Sequence, residues 1–236
     1  MQAHANRDIS GAIVVNEMSI KRIWAYAEEF VETISAEVHC ADEITRTFNA
    51  LQELLDFENN PRSKIKSIDI SGRSRELERS IQITLGRSYS TPSSFSIRGE
   101  EMDVSSVQEK IHNTIIGMKA WYSKFATVDL FYVWCFISIL AFLIIQIMAP
   151  SNPPPTSAKS FREALFILPY VSLWIAGIVG ILWAVSSIRS RFFPIVCYAL
   201  GQGLTRYQFD ENIRWVVIVG FVIGLISSAT FSLIGT

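Results

Sequence analysis

Three stretches of the chain carry no charged residue: Leu130 to Ala149, Ala164 to Ile188 and Trp215 to Thr236. Each has about 20 residues or more, the length a helix needs to cross about 30 Å of hydrocarbon. Buried core helices of water-soluble proteins rarely run so far without a charge. The pattern therefore predicts three transmembrane helices, at residues 130–149, 164–188 and 215–234.

Charge divides the chain in the same way. Up to Thr127 there are 15 Lys plus Arg against 18 Asp plus Glu, and afterwards only 6 against 4. The expectation is a water-soluble domain over 1–127 followed by a membrane domain over 128–236. The first residues, Met1-Gln-Ala-His-Ala-Asn-Arg-Asp, lack a basic region followed by an apolar run, so no signal peptide is expected. Cys40, Cys135 and Cys197 are odd in number and far apart, which speaks against a disulfide framework and for a reducing compartment.

Lys and Arg set the expected orientation. Lys119 and Lys124 precede the first charge-free stretch, and Arg189, Arg191, Arg206 and Arg214 lie between the second and third. The link between the first and second carries only Lys159 and Arg162. By the positive-inside rule a multi-pass protein of an inner (cell) membrane is expected, N-terminus in the cytoplasm and C-terminus outside. The segment from Ser190 to Arg214 is then a cytoplasmic piece lying in the membrane interface. Small residues recur every four positions, as Ala176, Gly180 and Ala184 and as Gly220, Gly224 and Ser228. Such stripes let helix backbones approach closely. Two uses stay open, contact among the three helices of one chain and contact with a neighbouring subunit.

Before Asp129 the pattern is that of an α+β fold, a mostly antiparallel sheet with helices on one face. Residues 1–11 read as a loose leader and Ala12 to Val15 as a short edge strand. Ile20, Ile23, Ala27, Phe30 and Ile34 recur at helical spacing after Ser19, a candidate N-cap. Ile34 to Cys40 alternates as a strand, with a second short strand through Thr47 or a helix from Asp42 as alternatives. Asn49 to Phe57 reads as helical. Lys64 to Ser71, Arg79 to Arg87 and Ser93 to Gly99 then form a strand meander, and a helix from Asp103 or Ser105 runs to about Ser123. Joined directly to the first span, that helix would couple the sheet to the membrane.

Chemistry is sparse. His39 and Cys40 are neighbours on a strand, so they point to opposite faces and do not make a metal pair. No phosphate loop, nucleophile elbow or paired Cys-x-x-Cys is present, and neither an enzyme nor a cofactor is expected. Charge blocks are more informative. Residues 17–58 carry 10 acidic and 3 basic side chains, whereas 61–98 carry 8 basic and 3 acidic. The basic block falls on the meander, whose polar positions include Ser71, Ser80, Gln82, Thr84 and Ser96. It is either a solvated face answering an acidic neighbour, or an anion site built on Arg73, Arg79, Arg87 and Arg98. The anion would be a nucleotide, a single-stranded oligonucleotide or a lipid headgroup, although Tyr89 and Phe95 offer few stacking platforms.

In layout, an α+β domain fused to a few minimally polar spans, the chain resembles bacterial anti-phage membrane effectors, both those of cyclic-oligonucleotide signalling and the Hailong type. The resemblance implies a homo-oligomeric membrane channel or membrane-disrupting antiviral effector, controlled by a nucleotide or oligonucleotide on its cytosolic domain. The alternative is a membrane-anchored adaptor that displays the domain to a cytosolic protein partner.

Overall fold

A computed structural model describes residues 1–74, 78–86, 92–128, 132, 134–136, 138–140, 177 and 179–234. The chain starts with strands β1 (Gln2–Ile9) and β2 (Ile13–Asn16), helix α1 (Glu17–Phe30), strands β3 (Thr33–Cys40) and β4 (Thr45–Phe48), and helix α2 (Leu51–Leu55). Strands β5 (Ile65–Arg73), β6 (Ser80–Leu85) and β7 (Ser93–Glu100) follow, then helices α3 (Glu101–Gly117) and α4 (Ser123–Thr127). Strand β8 (Val196–Ala199) and helix α5 (Gln202–Ile234) come last.

Two compact units result. One joins Met1–Thr127 to Phe192–Thr236, and the other is Val128–Arg191, whose described part includes helical residues 179–191. The C-terminal segment thus folds with the N-terminal region.

Period-two alternation builds the centre of the first unit. Six strands form a sheet in the order β1-β7-β6-β5-β3-β4, every neighbouring pair antiparallel. Ile68, Ile70, Ile81, Ile83, Leu85, Phe95 and Ile97 point to one face and are at most 2% exposed. Helix α1 covers that face with Ile20, Ile23, Trp24 and Ala27, and α3 with Val104, Val107, Ile111 and Ile115. Full burial of each large aliphatic side chain contributes about 1.5–3 kcal/mol, so a face this rich in isoleucine selects its helical cover. The other face stays open and polar.

Local expectations are met with three differences. Residues 2–9 are a full strand, paired with β7 from Gln2↔Glu100 to Ile9↔Ser93. Helix α1 is capped by Asn16, whose Oδ1 accepts the Ser19 N–H at 2.8 Å, three residues before the candidate cap. Helix α3 stops at Gly117. There the backbone turns to β2: Val14 N–H donates to the Met118 carbonyl (2.8 Å) and Ala120 N–H to that of Ala12 (2.9 Å). No continuous rod reaches Ser123.

The segment assigned by sequence to a membrane interface is instead part of the core. Strand β8 runs parallel to β2, from Ile13↔Val196 to Asn16↔Ala199. Tyr198 is buried, and its hydroxyl donates to the Leu85 carbonyl at 2.6 Å. Asn59 is buried at φ 48. Its Nδ2 donates to the carbonyls of Tyr198 and Leu200, both at 3.2 Å, while its Oδ1 accepts the Ile65 N–H at 3.1 Å. Gly86 lies at φ 96 against the Tyr198 hydroxyl, where a Cβ would collide with it.

Helix α5 is rooted in the same unit. Arg214, 2% exposed, pairs with Glu211, donates to the Phe192 carbonyl and lies 4.6 Å from the centre of the Tyr122 ring. Trp121 donates to Glu211 at 2.7 Å and stacks on Trp215 at 5.5 Å. Beyond that clasp the described side chains of the helix are mostly exposed, Val216 at 72% and Phe221 at 67%.

Among the described residues no helix is long and apolar enough to cross a membrane. This corrects the all-α membrane domain of three transmembrane helices. It also removes the multi-pass inner-membrane location and its topology, and the ion-channel and antiviral-defence readings that stood on the spans. Absence of charge over a stretch of sequence does not establish a spanning element. The 215–234 stretch is the distal part of α5, a helix whose proximal part carries Arg206, Asp210, Glu211 and Arg214 and is tied into the α+β unit. The 130–149 and 164–188 stretches lie mostly outside the described residues.

Replacing Tyr198 by Phe leaves the buried Leu85 carbonyl without its donor. Urea unfolding should show a loss of about 1–3 kcal/mol with an unchanged dependence on denaturant.

Candidate functional site

Antiparallel register arranges the open face into rows that cross the strands. At one end His4 (β1), Arg98 (β7), Ser80 (β6), Arg73 (β5) and Thr33 (β3) stand side by side. Two residues along each strand, Asn6, Ser96, Gln82, Ser71 and Ser35 form the next row. Two further residues along come Asp8, Ser94, Thr84, Asp69 and Glu37. Strand rise is about 3.4 Å per residue, so successive rows lie about 7 Å apart. The face thus changes from cationic through neutral to acidic over about 14 Å.

A cleft of about 500 Å³ opens over the cationic and neutral rows. Its wall includes Thr33, Ser35, Asn49, Ser71, Arg73, Ser80, Gln82 and Ser96. Arg73 is exposed on this face, and Arg98 is exposed on the far side of Ser80. Among the described residues neither arginine has a carboxylate partner within ion-pair distance. In the cationic row, His4 Nε2 is 3.0 Å from Ser96 Oγ.

The acidic row is internally satisfied at its centre. Asp69 accepts from the Thr84 hydroxyl at 2.6 Å and lies 3.3 Å from His39 Nε2, while His39 Nδ1 is 2.9 Å from Thr45 Oγ1. With its proton on Nε2 toward the carboxylate, the ring accepts from Thr45. This chain crosses β6, β5, β3 and β4 and fixes their register on the open side. It leaves Glu37 and Asp8 as the exposed carboxylates of the row.

The four arginines named from sequence do not form one cluster. Arg73 and Arg98 share the open face. Arg79 is on the helix-covered side, paired with Asp103 of α3 and 5.5 Å from the centre of the Phe30 ring. Arg87 lies outside the described residues. Parity along β6 already separates them: Arg79 shares its phase with the buried Ile81 and Ile83, whereas Arg98 alternates against Ile97. His4 and Asn6 escape sequence reasoning because the inward positions between polar residues of β1 hold only Ala3 and Ala5, too small to signal a strand. Asn49 comes from the loop before α2, where no local pattern points to the sheet.

For the small-residue stripes, Gly180, Gly220 and Gly224 face open space, and Ala184 and Ser228 are exposed. Ala176 lies outside the described residues. No match to the chain is found among protein-family models, curated proteins or solved structures.

The two faces give the arginines different tasks. Arg79→Ala should lower stability by about 1 kcal/mol, since it removes a partly buried ion pair and its ring contact. Arg98→Ala should stay within about 0.5 kcal/mol of the parent. Urea midpoints of the two variants check this.

Proposed function

We propose that the α+β unit is a non-enzymatic recognition module that binds an anionic ligand on its open sheet face. The observation that carries it is the placement of Arg73 and Arg98 on either side of Ser80, at the margin of the cleft and without carboxylate partners among the described residues. Two exposed arginines flanking one serine of the same row offer charge-assisted, fork-shaped donors, the chemistry that recognises phosphate and carboxylate. Hydroxyl and amide groups of the neutral row supply hydrogen bonds to whatever bears the charge.

A second reading is an interaction protein, the face being covered by a protein partner or by another copy. It draws on the order of the rows. A two-fold axis through the neutral row sets the cationic row of one copy over the acidic row of the other, which is the self-complementarity a two-fold dimer requires.

Titration calorimetry with inorganic phosphate separates the two. Arg73→Gln and Arg98→Gln should each weaken phosphate binding about ten-fold, the effect of losing one charge-assisted hydrogen bond. The Arg79→Gln variant should bind as the parent does. Equal affinity in the parent and the Arg73/Arg98 double variant would overturn the anion site. A dimer in sedimentation that dissociates in the same double variant would favour the interaction protein.

A further inference from the structure

Resting on the anion-site reading above, we infer that the ligand is a monophosphorylated polyol or sugar rather than a nucleotide or an oligonucleotide. Three observations on the same face carry it.

The first is the chemistry of the wall. Apart from Arg73, its polar groups are the hydroxyls of Thr33, Ser35, Ser71 and Ser80 and the amides of Asn49 and Gln82, joined by Ser96. Thr33 gives its proton to the Arg73 carbonyl at 2.8 Å; hydroxyls and amides as groups both donate and accept, so the array suits a body made of hydroxyl groups, which also do both. The cleft volume of about 500 Å³ lies within the roughly 300–1,000 Å³ of small-molecule sites, but apart from Ile34 and Ile81 its wall has none of the large apolar side chains that most such sites use.

The second is that, among the described residues, no aromatic side chain lines the cleft. Phe95, the described aromatic of the meander, is 1% exposed and points into the core. Single-stranded nucleic acids gain about 1–3 kcal/mol per base by stacking on aromatic rings, and this wall offers none.

The third is the acidic row. Phosphate seated between Arg73 and Arg98 has the neutral row about 7 Å away along the strands and the carboxylates of Glu37 and Asp8 about 14 Å away. A second phosphate carried in that direction would meet like charge. One anionic group with an uncharged, hydrogen-bonding body fits the order of the rows.

Calorimetry on the full chain tests this with four probes: inorganic phosphate, a hexose, the hexose 6-phosphate and a mononucleotide, with a trinucleotide as a fifth titrant. The hexose phosphate should bind at least ten-fold more tightly than inorganic phosphate, the free hexose or either nucleotide. Gln82→Leu combined with Ser71→Val should bring hexose phosphate down to the level of inorganic phosphate. Wild-type titrations alone decide the ligand class, so the result does not depend on the variants folding. If phosphate binds and the hexose adds nothing, the polyol inference fails and the anion site stands. Tighter binding of the mononucleotide or trinucleotide likewise overturns the polyol class. Binding of none of the probes at millimolar concentration overturns the anion site and this inference together.

Discussion

A buried phenol is central to how the two ends of the folded unit are held together. The Tyr198 hydroxyl donates to the Leu85 carbonyl across 113 positions of sequence. Burial pushes its pKa well above the ordinary value, so the group remains a donor throughout the usable pH range. An unpaired hydroxyl there would forfeit its hydration without return, which makes the bond a condition of burying Tyr198 at all. Asn59 secures the same segment by donating to the Tyr198 and Leu200 carbonyls and accepting from the Ile65 N–H. Because β8 is the parallel partner of β2, the C-terminal segment is a structural element of the N-terminal domain. The entropy of closing so long a loop grows only with the logarithm of its length, so residues 128–191 can intervene at modest cost.

Once the sheet is built, pleating sorts every strand residue onto one of two faces, and antiparallel register decides which residues stand beside one another. Both operations are visible in the arginines. Arg73 and Arg98 become near neighbours on the open face although 25 positions apart, while Arg79, nearer in sequence to Arg73, is claimed by Asp103 and Phe30 on the covered side. Cationic, neutral and acidic rows follow from the same registry. No segment of sequence shows that order, because each row draws one residue from each of several strands.

Helix α5 shows how a charge-free stretch can be misassigned. Its distal half is as apolar as the sequence suggests, and Val216, Val217, Phe221 and Ile223 are exposed on it. Yet the helix begins among charged residues, and its anchoring is a polar clasp. Arg214 is buried between Glu211, Tyr122 and the Phe192 carbonyl, and Trp121 joins Glu211 to Trp215. A buried guanidinium is tolerated there because each of these neighbours answers part of its charge or its hydrogen-bonding capacity.

Local pattern was sufficient for the α+β class, for helix α1 and for the β5–β7 meander, since in each the side chains alternate or recur with the period of the backbone that carries them. Parity would also have separated Arg79 from Arg98. Tertiary structure alone decided that residues 2–9 are a strand, because Ala3 and Ala5 are inward-facing without being conspicuously apolar, and pairing with β7 supplies the hydrogen bonds that their side chains do not advertise. It alone ended α3 at Gly117, where backbone groups found partners in residues 12–14. It alone drew β8 out of a segment that hydropathy assigns to a membrane interface. Hydropathy measures what a side chain avoids, whereas its location depends on which distant backbone groups and cavities are there to receive it.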